Sequence, residues 1–504
     1  MIFQKEWICA VLPVVLVNAV VQPVVLVVVH LAVIQKSKNQ LLEVKMNYKL
    51  SDFCHFIDGD HNLVALYNAL TLGMVIVDKN LASFLHQKKD SVISFDEGNS
   101  NLEEQLLEQK IIFPLGKRQD IDDYLQIQEG LSIKRIGILY LILNDACNIS
   151  CKYCFIENEM PSNYVYKKMS FEVAKRGIDL FVKTLQTSHH ISEPQIILYG
   201  GEPFTNPKVI REIIEYISRL KETNCLPSET SITINTNGTL IDSGIIDILK
   251  GVENLNIAIS IDGPKEIHDY SRPYYNGAGT FDDIMNGYDL FLKNNITAGF
   301  CCTINKYNID KLEDIANWFV NEMKAKSLGF NILIDFQGIE NIRGDSYEYS
   351  KKVAEKIVEC FKYFREKGVH EDRIMRKVNS FVDGTIYYYD CGGCGQQIVV
   401  TPDNMVGVCQ GYCSSKKYFV KLDEELDPLK HQIWEKWRYR SPLFMSQCKN
   451  CIALSVCGGG CPYSAEKRNG DIYELDDVFC VHAKYTTEYL IKDILKQYYT
   501  DDKI

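Results

Sequence analysis

Leu143-Asn-Asp-Ala-Cys147-Asn-Ile-Ser-Cys151-Lys-Tyr153-Cys154-Phe155 carries three cysteines in the spacing C-x3-C-x2-C, directly after an apolar run at 136–143. The run reads as a buried strand. The cysteines therefore lie on a loop leaving a strand end, where α/β barrels and open α/β sheets hold their chemistry. Three thiolates do not complete a tetrahedral structural zinc site. They suit three irons of a four-iron cluster and leave the fourth iron open, as a catalytic centre requires.

Further along, Tyr199-Gly200-Gly201-Glu202-Pro203 follows a second apolar run, Ile196-Ile197-Leu198. Together with the cysteine loop and its aromatic Tyr153, this resembles the radical S-adenosylmethionine (SAM) family. The resemblance implies that Cys147, Cys151 and Cys154 bind a [4Fe-4S] cluster. It implies that SAM chelates the open iron through its amino and carboxylate groups. Gly200, Gly201 and Glu202 are then expected against the methionine amino group.

From 134 to about 345, apolar strands at 136–143, 195–199, 231–235, 255–260, 296–303 and 328–334 alternate with amphipathic helices at 171–184, 207–222, 244–250, 284–294 and 309–324. About six βα units imply a parallel sheet, too few for a closed eight-fold barrel. The resemblance implies an α/β fold, a partial (β/α)6 TIM-like barrel open on one side for a large substrate. Asn235-Thr236-Asn237-Gly238 sits at a strand end, where an Asn-Gly turn presents side chains to the barrel mouth. Ser260 resembles a residue that contacts the SAM ribose or carboxylate. Arg272 resembles one that holds the SAM carboxylate, a task for a planar fork of donors. Taken singly, these residues also fit plain turns and a surface ion pair; their order and spacing carry the resemblance.

The chain has 504 residues, a net charge of −11 and 18 cysteines. That length accommodates two or three domains. The acidic balance argues against nucleic-acid binding. Half of the cysteines fall between Cys391 and Cys480. A long α/β chain does not need disulfide staples, so metal ligation in a reducing cytoplasm is the expected use. Paired C-x2-C segments alone would fit two zinc knuckles. The run Cys448-x2-Cys451-x5-Cys457-x3-Cys461 with a distal Cys480 instead resembles the SPASM extension of the same family. That resemblance implies two auxiliary [4Fe-4S] clusters, one on Cys391, Cys394, Cys409 and Cys461, the other on Cys448, Cys451, Cys457 and Cys480. Asn404 departs from the Gly usual there, although Asn tolerates a left-handed backbone. Cys413 has no assignment, and the short step from Cys391 to Cys394 leaves open whether the first auxiliary cluster keeps a free iron.

The expected organisation is an apolar leader at 1–45, an N-terminal α+β module at 46–130, a radical SAM core at 133–345, a helical linker at 346–390, an auxiliary-cluster lobe at 391–485 and a tail at 486–504. The apolar segment 7–34 is long enough to span a bilayer, with Lys36 and Lys38 after it favouring a cytoplasmic catalytic part. Alternatively, Leu42-Glu-Val-Lys-Met46 back-translates to a ribosome-binding sequence ahead of a start codon, and Met46 is then the native start. The hairpin-plus-helices pattern after Met46 is compatible with the peptide-binding modules of some family members.

SPASM-type members mostly modify peptides. The first expectation is a maturase that forms a thioether or carbon–carbon crosslink in a ribosomal peptide, with an electron donor of ferredoxin or flavodoxin type. The resemblance implies reductive SAM cleavage to methionine and a 5′-deoxyadenosyl radical, which abstracts hydrogen from substrate. The second expectation is anaerobic sulfatase maturation, the conversion of Cys or Ser to formylglycine. Members with that activity place an acidic base after the cysteine matching Cys409; here Gln410 stands there and cannot take a proton. A non-enzymatic iron–sulfur or zinc scaffold would satisfy the cysteines but would not need Gly200-Gly-Glu-Pro203 or Ser260.

Overall fold

The computed structural model describes residues 46–95, 100–157, 160, 163–333 and 346–501. The apolar segment 7–34 and the question of the start lie outside the described residues. Among the described residues no helix is long and apolar enough to cross a membrane.

The N-terminal part begins with β1 (Tyr48–Leu50), β2 (Cys54–Asp58), β3 (Leu63–Asn68) and β4 (Met74–Asp78). β2, β3 and β4 form an antiparallel meander in which Val64 faces Val77 and Leu66 faces Val75, the hairpin expected from the sequence. Helix α1 (Lys79–Gln87) starts at once, its N-terminus capped by the Asp78 carboxylate on Asn80 N and Leu81 N. Helix α2 (Ser100–Glu108), β5 (Ile112–Pro114) and α3 (Gln119–Glu129) complete it, with β5 pairing back on β1.

The central sheet then runs through six parallel strands in chain order: β6 (Ile138–Asn144), β7 (Gln195–Gly200), β8 (Ser231–Thr236), β9 (Leu255–Ser260), β10 (Gly299–Ile304) and β11 (Ser327–Ile332). The helices between them are α4 (Phe171–Thr187), α5 (Pro207–Glu222), α6 (Ser243–Leu249), α7 (Lys265–Ser271), α8 (Phe281–Lys293) and α9 (Leu312–Asn321). α5 buries Val209, Ile210, Ile213, Ile214 and Ile217, a stripe at helical spacing that covers the sheet. The strands are apolar on both faces because helices and the barrel interior cover them. This is the six-unit α/β barrel expected from the sequence.

The sheet does not end there. After α10 (Ser346–Lys367), the short β12 (His370–Glu371) pairs with β11, and α11 (Asp372–Asp383) follows. At the opposite edge β13 (Gln397–Val400) lies parallel to β6, and β14 (Met405–Gly407) and β15 (Phe419–Lys421) continue antiparallel. The result is a ten-stranded sheet among the described residues, with both edges supplied from beyond the barrel. The segment 346–390, expected as a linker, thus contributes a strand to the sheet. Asn404 in the β13–β14 turn has φ 62°, the left-handed backbone that the usual Gly would adopt. Helices α12 (Gln432–Arg438), α13 (Pro462–Asn469) and α14 (Asp477–Asp501) close the C-terminal lobe. α14 runs unbroken through residues expected as a tail and packs against α10 and against β2 and β3.

Candidate active site

The strands are parallel, so their C-terminal ends share one rim, and the sequence motifs gather there. Cys147, Cys151 and Cys154 lie on the loop after β6. That loop is strapped to the chain after α7: Ser150 N donates to Pro273 O at 2.8 Å and Lys152 N to Ser271 O at 3.0 Å. Gly201 N donates to Asn144 O at 2.7 Å, and Glu202 N to Ala146 O at 3.2 Å. A Cβ on Gly201 would stand 2.0 Å from Ala146 O, and one on Gly200, at φ 151°, 2.3 Å from Asn144 O. The two glycines are what allow β7 to approach the cysteine loop this closely.

A cavity of about 450 Å³ opens at this rim. Cys147, Cys151, Tyr153 and Cys154 line it, with Gly200, Gly201, Asn237, Ser260 and Arg272. Asn237 Nδ2 donates to Cys147 Sγ at 3.6 Å and Arg272 Nη1 approaches Cys151 Sγ at 4.0 Å. Burial pushes the Cys147 thiol up to about 12 and raises those of Cys151 and Cys154. Metal binding must therefore displace protons from these thiols.

Asp262, fully buried, organises the wall beside them. It accepts from the Tyr153 hydroxyl, from Thr303 N at 3.0 Å, and pairs with Arg272 Nε at 3.1 Å. Arg272 in turn stacks 5.3 Å from the Tyr153 ring. The sequence analysis singled out Ser260 and Arg272 but not Asp262. Its signal was a carboxylate two residues beyond an apolar strand, too common to single out.

Glu202 sits elsewhere than Gly200 and Gly201. It is fully buried behind the rim and accepts from Thr236 Oγ1 at 2.8 Å, Asn237 N at 2.7 Å and Phe204 N at 3.0 Å. Burial raises its carboxyl to about 7, against the pull of those three donors. In this arrangement its carboxylate ties the end of β7 to the end of β8.

The second cysteine group reaches the same cavity, which Cys391, Cys461 and Gln410 also line. Cys394 and Cys409 are buried, and burial first, then the Cys391 and Cys461 thiols, pushes theirs up. Cys448, Cys451, Cys457 and Cys480 form a separate set: Cys451 and Cys480 raise the thiol of Cys448 and that of Cys457. Cys413 is buried near Cys409, its thiol pushed up to about 12 by desolvation. Among the described residues no three His, Cys, Asp or Glu side chains close on a point as ligands of one ion do. Thiolates of a four-iron cluster each bind a different iron and so stand farther apart than the ligands of one zinc ion.

Arg440 has no exposed surface, and its Nη2 donates to Glu474 O at 2.9 Å and its Nε to Ile472 O. Among the described residues no carboxylate stands within ion-pair distance of it. Its charge acts on the buried Asp476 carboxyl and on the thiols of Cys394 and Cys448, pulling each down against the burial that raises it.

Residues 141–319 match the profile of the Radical SAM superfamily. The radical SAM cyclopropyl synthase TigE of Paramaledivibacter caminithermalis is 23% identical over 88% of this chain and 95% of its own. A cysteine-type anaerobic sulfatase-maturating enzyme of Clostridium perfringens is 24% identical over 70% of this chain and 96% of its own. The solved structure of native anSMEcpe with bound AdoMet superposes with a TM-score of 0.59 at 21% identity, over 71% of this chain and 98% of that one.

Proposed function

We propose that this chain, whose residues 141–319 match the Radical SAM superfamily, is a radical SAM enzyme that forms a thioether or carbon–carbon crosslink in a ribosomally made peptide. A [4Fe-4S] cluster and SAM are its cofactors, and when bound they supply a 5′-deoxyadenosyl radical that abstracts hydrogen from an unactivated carbon. The observation that carries the reading is that Cys147, Cys151 and Cys154 line one cavity together with Cys391 and Cys461. A substrate side chain held between them meets both a site of hydrogen abstraction and a site that takes up the remaining electron.

In this reading Cys147, Cys151 and Cys154 hold the SAM-binding cluster. Tyr153, Gly200, Gly201, Asn237, Ser260 and Arg272 form the SAM cradle. Arg272, fixed by Asp262, offers a guanidinium to the methionine carboxylate, and Glu202 braces the cradle from behind. Cys391, Cys394, Cys409 and Cys461 hold one auxiliary cluster; Cys448, Cys451, Cys457 and Cys480 hold the other. The module at 46–130 takes part in peptide binding, 133–345 is the core and 391–485 the auxiliary-cluster lobe. A reducing cytoplasm with a ferredoxin- or flavodoxin-type donor suits unpaired thiols at these positions.

Sulfatase maturation is the second reading, because relatives of that kind cover 70% of the chain. Gln410 weighs against it: the residue lines the cavity, its Oε1 accepts from Gln397 Nε2 at 3.1 Å, and an amide is no general base. The cyclopropyl synthase, whose product name denotes carbon–carbon bond formation, matches 88% of the chain and favours the crosslinking reading.

The test is iron and sulfide content after anaerobic reconstitution, with 5′-deoxyadenosine release from SAM under dithionite. Three clusters predict about 12 irons per chain, and the Cys147→Ala/Cys151→Ala/Cys154→Ala variant should hold about 8 and release no 5′-deoxyadenosine. Wild type that holds about 4 irons together with zinc would remove the auxiliary clusters from the reading. Peptides encoded beside the gene should then lose two hydrogens per crosslink by mass.

A further inference from the structure

One wall of the cavity carries a charge that neither SAM binding nor cluster ligation uses. Arg373, in the first turn of α11, lines the cavity and is 8% exposed. Its Nε donates to Phe330 O at 2.6 Å, and its guanidinium lies 4.9 Å from the Phe479 ring. These contacts fix the plane of the fork without neutralising it. Its neighbour Arg376 is differently placed: Nε lies 3.3 Å from Asp372 and Nη1 3.8 Å from Asp390. The adjacent Glu371 carboxylate caps α11, accepting from Arg373 N at 3.1 Å and Ile374 N at 2.8 Å. Among the described residues no carboxylate stands within ion-pair distance of the Arg373 guanidinium.

Asp390, Glu371 and Asp372 act on Arg373 only from beyond ion-pair distance. A buried, rigidly held guanidinium that faces a cavity and, among the described residues, has no carboxylate within that distance offers its fork to a ligand carboxylate, which it matches bidentately. We infer that Arg373 is a specificity-determining residue that binds a carboxylate of the substrate peptide in this cavity. This rests on the peptide-modifying reading above and narrows it: the substrate carries an Asp or Glu side chain, or its own C-terminal carboxylate, close to the carbon that reacts. The carboxylate anchors the peptide within the cavity that the cysteine loop lines, so that the radical meets one carbon out of many. A neutral isostere would leave the guanidinium desolvated and unpaired, which is the stronger source of discrimination.

The test uses the reconstituted holoprotein with SAM bound and three probes: N-acetyl-glutamate methylamide, its glutamine counterpart, and N-acetyl-alanine with a free carboxylate. Binding is read by calorimetry or ligand-observed NMR. The glutamate probe is expected to bind about 10-fold or more tighter than the glutamine probe, and Arg373→Gln should abolish the difference. A preference for N-acetyl-alanine, equally lost in Arg373→Gln, supports the inference with a C-terminal carboxylate as the source. Equal binding of all three probes by wild type overturns it, as does discrimination that survives Arg373→Gln. Iron content and the thermal melt check each variant's fold. Should Arg373→Gln fail that check, Arg373→Lys, which keeps the charge but not the fork, should retain binding with a several-fold loss; unchanged binding would overturn the bidentate role. Reductive SAM cleavage by wild type, measured separately, reports on the proposed function itself, so the two can fail independently.

Discussion

Asp262 and His268 show how a buried polar pair shapes this site. Asp262 N donates to His268 Nδ1 at 3.2 Å, and His268 Nε2 meets Thr280 Oγ1 at 3.0 Å. Accepting at Nδ1 requires a neutral ring at that nitrogen, and burial pushes the imidazole down to about 4. The folded-state value is lower than the unfolded value near 6.5, so the unfolded chain takes up a proton first as pH falls. Stability is therefore unaffected by this group above about pH 6.5 and declines by up to about 1.4 kcal/mol per pH unit between about 6.5 and 4. Denaturant unfolding at pH 7.5 and 5.5 should show wild type losing about 1.4 kcal/mol more than His268→Asn over that interval. An equal loss in both proteins would mean that His268 takes up its proton in the fold as readily as in the unfolded chain. At this scale the sequence revealed the cysteines, glycines and Arg272 because their spacing is unusual. Asp262, Thr303 and Arg373 were hidden because each is defined by partners 10 to 120 residues away, as in the Tyr153–Asp262 contact.

The strands and helices from β6 to β11 were legible because apolar runs and amphipathic stripes repeat with clear periods. The sheet edges were not. β12, β13, β14 and β15 are two to four residues long, and what makes them strands is a partner strand supplied by the fold rather than any local pattern. The close approach of β7 to the cysteine loop was half legible: Gly200-Gly201 stood out, while what they approach did not. This contact yields a prediction for the element. In Gly201→Ala the new methyl meets Ala146 O and Cys147 N, both backbone, so the loop must move rather than a side chain. A displaced loop should release the SAM-binding cluster alone, lowering iron from about 12 to about 8 per chain while the C-terminal clusters remain. Iron analysis with EPR of the reduced protein checks this. Retention of all the iron and normal SAM cleavage would mean that the loop tolerates the shift.

Across the whole molecule, the N-terminal module is tied to the C-terminal lobe. Ser455 N and Oγ donate to Ala69 O and Leu70 O at 3.2 and 2.6 Å. Tyr124 OH and Gln128 Nε2 both donate to Leu443 O, at 2.5 and 2.6 Å. The Tyr67 ring packs 5.7 Å from Phe381, and Tyr67 and Tyr124 lie near enough to Cys451 and Cys448 for those thiols to raise their hydroxyls. Leu495 of α14 closes on Gly59, at the other end of the helix whose first turn carries Cys480. The module thus clamps the segment from Leu443 to Cys457 and the helix that bears Cys480, which between them hold all four cysteines of the second set. If the module served peptide binding alone, a chain starting at residue 131 would keep every cluster and lose only affinity for the peptide. The contacts argue otherwise. Removing residues 46–130 uncovers Phe381 and Leu495, and leaves Ser455 Oγ and the Leu443 carbonyl without their present hydrogen-bond partners. We expect the shortened chain to hold about 8 irons instead of about 12, with the loss confined to the Cys448, Cys451, Cys457 and Cys480 set. Dithionite-driven SAM cleavage should persist, because the cysteine loop after β6 makes none of these contacts. Full iron content in the shortened chain would return the module to a detachable peptide-binding role.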